Sequence, residues 1–585
     1  MISFITENVR AMRTERFLKL SIVTVAAAFL VFMAATETYA AAIDSAQNRI
    51  KSISFRFQPV TIGEKPAFHV EVRFRAAELV TAIKVPTRWG GAPHLEGQTQ
   101  NLRVLTPGAT LEDSADPGVK KLHARPGERV ELVYDIVPLQ TEWFRHPQEH
   151  MAIINADYFL FNTENALVYP ELRSPDWVDA SFDWRALPKR MPLFSSFGDS
   201  ARVLHVQSPW YRVQNALFAG GNFRVTESRE GETTLVLATR GIWKFTDAEA
   251  FEKVRRIIDE ENKFWHTKPM PFFLVMLAPF DEKTGDNDGS GFTSAFVLFL
   301  SHEDTFDSAR VRLLAHEMFH HWNPMSMGPE GADEAVKWFT EGFTVYYEAA
   351  IPLRAGLISY ADYLETLNWR LREYQTSPLG KVSDAEWQKL SHASGPGYEL
   401  SYARGAAVAL WADAAIRERS GGKLSLDNVM FDLVNEAQAP KPPELTENRV
   451  FAAFARYLAA DQVALMRTMA VQGADVPLPK TLGNCAQLES VARTVADAGF
   501  DEMSVESKRI AGVDPAGPAY RAGIRDGQVV FRFSIYHDDP SKEILLGVVI
   551  DGKKETIHYS GAKQQVITQY RATAEGDAAR ACTPF

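Results

Sequence analysis

The chain has 585 residues, of which 46% are hydrophobic and 23% charged, and this composition indicates a globular protein with several domains rather than a disordered or collagen-like chain. Lys and Arg total 63 against 74 Asp and Glu, and the resulting net charge of −11 makes nucleic acid a poor candidate for the principal partner. Two cysteines exclude a disulfide-rich scaffold and any four-cysteine zinc or iron–sulfur site.

Residues 1–42 have the pattern of a secretory signal peptide. Basic residues between Arg10 and Lys19 precede the apolar run Leu20–Ala35, and the small residues Ala40–Ala42 offer a cleavage site. An uncleaved membrane anchor is the alternative, because the apolar run is only slightly shorter than the ~20 residues that span a bilayer. Both interpretations predict that the rest of the chain is exported, either to the periplasm or out of the cell.

The pattern after the signal predicts an α+β protein with three further domains. Residues 43–195 are predicted to form a β-sandwich, because apolar residues alternate with period two in segments such as Ile53–Val60. Residues 196–480 begin with strands and one amphipathic helix, Asp247–Phe264, and continue as a mostly helical domain. Residues 481–585 return to strands separated by glycine turns.

The segment His316-Glu317-Met-Phe-His320 carries most of the chemical information. Histidines four residues apart on a helix project from one face and can bind one ion. Zinc accepts neutral imidazole, and a catalytic zinc site uses three protein ligands and leaves a fourth position for water. Glu317 lies beside the first ligand, where it can act as the general base on that water. The alternative is a helix with incidentally spaced polar residues, which would leave three of them in an apolar context without a use.

A second helix can supply the third ligand. Proline and glycine residues end the first helix, and Asp333 can cap a helix over Glu334–Ala350. Glu341 comes twenty-one residues after His320, far enough to return on an antiparallel helix and provide an oxygen ligand. Glu348 lies two turns further on the same face, where it either orients a ligand histidine or faces solvent as an ordinary helix carboxylate.

A peptidase also needs a hydrogen-bond donor for the oxyanion that develops in its transition state. Tyr398 and Tyr402 are the candidate phenols. Their spacing does not choose between them, and a buried packing role is the alternative for both.

Three segments together are similar to one known family. They are His316–Asn323, in which a Trp-Asn pair follows the second histidine, then Trp338–Tyr347 and Tyr402–Gly405. These segments resemble the glycyl aminopeptidase family of gluzincin zinc metallopeptidases.

The resemblance implies a particular set of functional residues and domains. Zinc would be bound by His316, His320 and Glu341, with Glu317 as base and Tyr402 as the tyrosine that stabilises the oxyanion. The family's layout is an N-terminal β-domain, a thermolysin-like catalytic domain and a C-terminal PDZ domain, which would cover nearly the whole mature chain.

One segment departs from that family. Its aminopeptidases carry a Gly-Gly-x-Glu-His type segment on the strand that lines the cleft, and the Glu captures the substrate amine. The corresponding place here reads Gly289-Ser-Gly-Phe-Thr-Ser-Ala295, without Glu or His. A free N-terminal ammonium then lacks its expected counter-charge from this segment. We therefore expect peptide-bond hydrolysis without a strict aminopeptidase specificity.

The last hundred residues contain a second resemblance. Ala511–Val530, with Pro-Ala-x-x-Ala followed by Ala-Gly-Ile and Asp-Gly, resembles a PDZ domain. PDZ domains bind extended peptides by adding a strand, and backbone amides receive the terminal carboxylate. Gly499 and Phe500 are the candidate loop for such a C-terminal peptide ligand. A β-domain that only packs on the catalytic body is the alternative.

Cys485 and Cys582 bracket the PDZ-like segment. Export permits a disulfide, which would close a loop of about 98 residues and contribute up to about 4–5 kcal/mol in the entropic model. Two buried free thiols are the alternative, and the position of both cysteines near the domain edges favours the bridge.

These patterns predict an exported zinc metallopeptidase with one zinc ion per chain and a peptide or protein substrate. An aminopeptidase for small N-terminal residues is the alternative enzyme. The alternative from another class is an exported peptide-binding protein without catalysis. Glu317 argues against that alternative, because a binding protein does not need a general base.

Overall fold

The computed structural model describes residues 50–573 together with Cys582, leaving out 91, 140–149, 174–175, 199, 267–269, 280–287, 329–335, 391–394, 440 and 538. The predicted signal peptide, residues 1–42, lies outside this part of the chain. Within it, no helix combines the length and apolar character that crossing a membrane requires.

The N-terminal part consists of β-sheets, as the alternating pattern predicts. Its strands are β1 (Ser52–Ile62), β2 (Lys65–Arg75), β3 (Val80–Lys84), β4 (Arg88–Trp89), β5 (Ala92–Pro93), β6 (Thr99–Val104), β7 (Thr110–Asp113), β8 (Val119–His123), β9 (Arg129–Ile136), β10 (Ile153–Ile154), β11 (Tyr158–Asn162), β12 (Tyr169–Pro170), β13 (Trp177–Asp183), β14 (Leu193–Ser195), β15 (Val203–Pro209) and β16 (Leu217–Gly221). Two short helices, α1 (Thr163–Ala166) and α2 (Trp210–Gln214), interrupt them.

These strands form layers around an aromatic core. A six-stranded sheet has the order β15-β13-β1-β2-β9-β6, and two four-stranded sheets have the orders β10-β11-β16-β14 and β12-β3-β8-β7. Alternate residues of β1 and β2 point into the core, where Phe57 stacks on Trp184 with 3.9 Å between ring centroids.

The sheets extend beyond the predicted boundary at residue 195. β15 pairs with β13, and β16 pairs with both β11 and β14, so the N-terminal β region continues to Gly221. The sheet that a strand joins depends on its pairing partner, which can lie far away in the sequence. The local alternation of apolar residues predicts a strand but does not identify that partner.

The middle part contains one sheet followed by helices. Its strands are β17 (Arg224–Glu230), β18 (Thr233–Thr239), β19 (Phe272–Pro279), β20 (Asp288–Phe292) and β21 (Ala295–Leu300), in the order β17-β18-β19-β21-β20. β18, β19 and β21 are parallel, and β20 is an antiparallel edge strand. The helices are α3 (Asp247–Trp265), α4 (Ser308–Phe319), α5 (Lys337–Arg354), α6 (Tyr360–Thr376), α7 (Asp384–Leu390), α8 (Gly395–Ser420), α9 (Leu426–Glu436), α10 (Glu447–Phe454) and α11 (Ala460–Gln472).

The C-terminal part consists of two small sheets. They are built from β22 (Thr481–Leu482), β23 (Ala486–Ala496), β24 (Val529–Ser534), β25 (Ile544–Ile550), β26 (Lys553–Tyr559) and β27 (Ala562–Ala572), with a short helix, α12 (Pro518–Arg521). The sheet orders are β22-β23-β27 and β24-β25-β26.

The strand β27 joins the C-terminal part to the helical part. The side chain of Asn368 on α6 exchanges two 2.7 Å hydrogen bonds with the backbone of Tyr570, and Gln375 does the same for Thr568 at 2.7 and 2.8 Å. Two amide side chains on one helix face therefore satisfy backbone groups along β27.

The two cysteines form a disulfide in the structure. The Sγ atoms of Cys485 and Cys582 are 1.98 Å apart, and both residues are buried. The bond connects the beginning of β23 with the end of the C-terminal part.

Candidate active site

The helix α4 places two histidines side by side. It begins after Asp307, whose carboxylate accepts hydrogen bonds from two backbone N–H groups of the first turn. His320 follows its last residue and retains the right-handed helical conformation, so that His316 and His320 stay one turn apart on one face. Their Nε2 atoms are 3.1 Å apart.

The helix α5 brings a carboxylate to the same point. The Oε2 atom of Glu341 lies 3.4 Å from the Nε2 atoms of both His316 and His320. This oxygen is buried and accepts no hydrogen bond from the residues that the structure describes. A buried carboxylate oxygen facing two imidazole nitrogens fits a cation, and two histidines with one glutamate are a usual ligand set for catalytic zinc.

The charges of these groups depend on one another. Burial alone would lower the pKa of His316, but the carboxylates of Glu341 and Glu348 outweigh it and raise the pKa to about 10. Burial alone would raise the pKa of Glu341, but the two histidines hold it well below its usual value. The site therefore stabilises positive charge at its centre, which is what a metal ion would supply.

Glu348 lies behind the first histidine. Its Oε2 atom is 2.9 Å from His316 Nδ1, and its Oε1 atom is 3.6 Å from Nη2 of Arg370 on α6. Glu348 is 3% exposed, so it does not face solvent. A carboxylate at Nδ1 fixes the tautomer in which His316 Nε2 is free to bind metal.

The edge strand β20 runs against the predicted base. A Cβ atom on Gly289 would lie 2.9 Å from Cγ and 3.1 Å from Oε1 of Glu317, and one on Gly291 would lie 3.4 Å from Oε2. Glycines at these two positions therefore allow the backbone of β20 to approach the base. Two glycines at alternate positions of a strand are the signal in the sequence that indicates this close approach.

The N-terminal β region covers one end of this strand. Phe292, the last residue of β20, stacks on Trp89 of β4 with 5.6 Å between ring centroids and an interplanar angle of 11°.

The described side chains of the strand, from Gly289 to Phe292, include no carboxylate.

Tyr402, on α8, lies beside His316. Its ring lies 6.0 Å from that of His316, nearly parallel at 15°. This approach depends on a close crossing of α5 and α8, where a Cβ atom on Gly405 would lie 2.1 Å from the carbonyl oxygen of Trp338. The glycine three residues after Tyr402 thus has a packing role. The side chain of the other candidate, Tyr398, lies outside the described part of the chain.

The predicted peptide-binding loop lies away from these residues, in the C-terminal part. The N–H group of Gly499 donates to Asp497 Oδ1 at 3.2 Å, and Phe500 packs partly buried against the core of this part. The segment that follows, Glu502–Ser507, forms a 3-10 helix. Binding of a C-terminal peptide at Gly499 and Phe500 stays a prediction.

One helix carries the two histidines and the predicted base, the next helix carries a carboxylate, and an edge strand lies beside the base. The two histidines and the glutamate on one helix are the arrangement found in HExxH metallopeptidases. The sequence model of the M61 glycyl aminopeptidase family matches residues 309–406, which contain all of these groups except the edge strand. The resemblance to this family is thereby confirmed for that segment. A comparison with curated proteins found no match.

Two solved structures are similar to this chain to different degrees. An aminopeptidase N family protein from Idiomarina loihiensis has a TM-score of 0.64 and 15% sequence identity, over 88% of this chain and 98% of that protein. An M1 zinc metallopeptidase from Deinococcus radiodurans has a TM-score of 0.46 and 15% identity, over 74% of this chain and 96% of that one. The first likeness establishes a common architecture for most of the chain.

Proposed function

We propose that this protein is an exported zinc metallopeptidase that hydrolyses peptide bonds. One observation carries the proposal. The Oε2 atom of Glu341 is buried, has no hydrogen-bond donor among the described residues and faces both histidines. Glu317 lies next to the histidines, against the glycines of β20. A zinc ion held by His316, His320 and Glu341, one per chain, would supply Lewis acidity and bring the pKa of a coordinated water toward 7.

Two side chains have separate roles in the proposed reaction, one in proton transfer and one in stabilising the oxyanion. Glu317 accepts a proton from the attacking water and returns it to the departing amine, as a general base that becomes a general acid. Tyr402 donates its phenol proton as a hydrogen bond to the oxygen of the tetrahedral intermediate. The backbone of β20, next to Glu317, offers an extended substrate a strand to lie against.

Substitution of the base separates metal binding from hydrolysis. Glu317→Gln should keep its zinc but lose peptide hydrolysis, because an amide cannot take the proton. Glu341→Gln is the matched variant, and it should lose zinc and hydrolysis together. Metal content by atomic absorption and cleavage of a mixed peptide library are the two measurements. Wild-type protein without zinc, or Glu317→Gln protein with full activity, would contradict the proposal.

An aminopeptidase for small N-terminal residues is the second candidate, and the match of residues 309–406 to the glycyl aminopeptidase family favours it. The absence of a carboxylate between Gly289 and Phe292 argues for a less strict preference. Rates on one peptide with a free and an acetylated N-terminus distinguish the two. An aminopeptidase needs the free amine, whereas an endopeptidase cleaves both forms.

Export is supported by the pattern of residues 1–42 and by the disulfide, which is typical of proteins outside the cytoplasm. The intact mass of protein recovered from the exported fraction tests this directly. Loss of about the first 42 residues is expected if the signal is cleaved, and the full mass in a membrane fraction would indicate an anchor. Recovery from the cytoplasm with free thiols would contradict export.

A further inference from the structure

The Trp-Asn pair that follows His320 has no role in the proposed mechanism. Both residues are nevertheless buried beside the metal centre. Trp322 stacks on Trp265 of α3 with 5.6 Å between ring centroids, and Asn323 is 0% exposed. The hydrogen bonds of a polar side chain buried so completely next to a proposed metal ligand indicate its role. They are made by Nδ2 of Asn323, whereas its Oδ1 atom has no partner in the described part of the chain.

The backbone of Asn323 contacts one metal ligand. Its carbonyl oxygen lies 2.9 Å from His320 Nδ1. Since a carbonyl oxygen only accepts, Nδ1 carries the proton. The lone pair of Nε2 therefore points to the position that it shares with His316 and Glu341.

The side chain of Asn323 contacts the helix that carries the other ligand. Its Nδ2 atom donates toward the carbonyl oxygens of Phe339 at 3.3 Å and Thr340 at 3.2 Å, and lies 3.2 Å from the hydroxyl of Thr344. On α5, Phe339 and Thr340 directly precede Glu341, and Thr344 follows it by three residues, within one helical turn. One residue is thus bonded to His320 on one side and to the turns around Glu341 on the other.

We propose that Asn323 is a positioning residue that holds His320 and Glu341 at the separation a metal ion needs. The proposal rests on the zinc site of the proposed function. Asn323 touches neither substrate nor metal and acts through the two ligands. Its removal should therefore weaken metal binding more than its effect on folding explains.

Two substitutions of Asn323 differ in severity. Asn323→Ala keeps the backbone carbonyl but removes the contacts with α5, so zinc affinity should fall by about 10–100-fold, as is usual for loss of a residue that orients metal ligands. Asn323→Asp keeps the size but turns carboxylate oxygens toward two carbonyl oxygens, and we expect a larger loss.

Asn368 offers a matched control. It is a buried asparagine, 6% exposed, whose side chain makes two 2.7 Å hydrogen bonds to the backbone of Tyr570. These bonds join α6 to β27 and involve no metal ligand. Asn368→Ala should therefore lower the unfolding temperature without changing zinc affinity.

The experiment measures zinc affinity by competition with a chromophoric chelator, in the full-length mature protein, for wild type, Asn323→Ala, Asn323→Asp and Asn368→Ala. Thermal unfolding of the metal-free proteins measures folding separately. We expect weaker zinc binding in the two Asn323 variants and wild-type affinity in Asn368→Ala. If Asn323→Asp does not fold, the zinc affinity of Asn323→Ala alone tests the proposal.

Two results would overturn the proposal. One is wild-type zinc affinity in Asn323→Ala, and the other is an equal loss of affinity in Asn368→Ala, which would mean that any buried defect weakens the site. A wild-type protein that binds no zinc would instead contradict the proposed function. Glu317→Gln protein that binds zinc and cleaves normally would contradict the role of the base while leaving the positioning role of Asn323 intact.

Discussion

At the scale of single residues, we expect substitution of Tyr402 to affect catalysis without affecting zinc binding. Its ring lies beside that of His316, and its phenol is not one of the three proposed zinc ligands. Tyr402→Phe keeps the ring and removes the proposed oxyanion donor, so kcat should fall by about 10²–10³-fold. Zinc content and KM should change little. Steady-state kinetics with metal analysis on the same preparation are the measurements.

The control for Tyr402 is Tyr457→Phe. This substitution removes a phenol that is bonded to Asp432 at 2.8 Å, outside the metal centre. It should leave kcat unchanged. An unchanged kcat in Tyr402→Phe as well would show that the oxyanion is stabilised by another group.

Glu261 on α3 gives the protein a pH-dependent stability. It is 0% exposed, and neither carboxyl oxygen has a hydrogen-bond partner in the described part of the chain. Burial raises its pKa well above the usual value. The folded protein thus keeps a proton that the unfolded chain releases above about pH 4.3, so stability falls as pH rises from there to the folded pKa.

Glu261→Gln should remove that dependence. Near pH 4 the variant and wild type should unfold at similar temperatures, because the carboxyl group is then largely protonated in the unfolded chain as well as in the folded protein. Near pH 8 the variant should be more stable, by about 1.4 kcal/mol for each pH unit above the unfolded pKa, up to the folded pKa. Unfolding temperatures across this range test the prediction, and parallel curves for the two proteins would contradict it.

At the scale of elements, the edge strand β20 lies directly against Glu317. In Gly289→Ala the new methyl group would meet Glu317 Cγ at 2.9 Å, so either the strand or the base must move. We expect hydrolysis to fall by at least about tenfold, with zinc retained, because a displaced base no longer reaches the proton of the water. Cleavage rates and metal content of the purified variant are compared with wild type.

Ser290→Ala provides the comparison for Gly289→Ala. It changes the neighbouring residue of β20, whose side chain points to the opposite face because side chains alternate along a strand. Ser290→Ala should keep nearly full activity. If both variants behave alike, the strand as a whole tolerates or resists substitution, and the close approach of Gly289 to the base has no special effect.

Periodicity explains which elements of the site could be predicted. The four-residue spacing of His316 and His320 requires only a helix, and the spacing to Glu341 requires only a second helix that returns, so local pattern sufficed for these residues. The contact of Gly289 with Glu317 and that of Asn323 with α5 depend on tertiary packing. The spacing of residues along the chain does not contain that information.

At the scale of the whole molecule, the sequence pattern predicts the order of the β-rich and helical regions, but not the residues at which each region begins and ends. The β-rich beginning, helical middle and return to strands follow from patterns within short windows. β15 and β16 follow the boundary predicted at residue 195, but they pair with β13 and β11, which lie earlier in the chain. Long-range pairing of this kind is decided by the core as a whole.

The disulfide is the strongest candidate for a constraint on the C-terminal part. It links residues separated by 97 positions, and a loop of that length contributes up to about 4–5 kcal/mol in the entropic model. β27 is also hydrogen-bonded to α6. We therefore expect loss of the disulfide to destabilise the C-terminal part of the chain without disturbing the proposed zinc site.

Replacement of both cysteines by serine tests that expectation without leaving a free thiol. The Cys485→Ser/Cys582→Ser variant should bind zinc and cleave peptide at low temperature, since neither cysteine belongs to the metal site. Its C-terminal part should be digested faster in limited proteolysis and should unfold at a lower temperature. Reduction of wild type with dithiothreitol should reproduce the effect, and the variant should not respond to it. Equal proteolysis of oxidised wild type and variant would mean that the contacts between β27 and α6 hold the module without the disulfide.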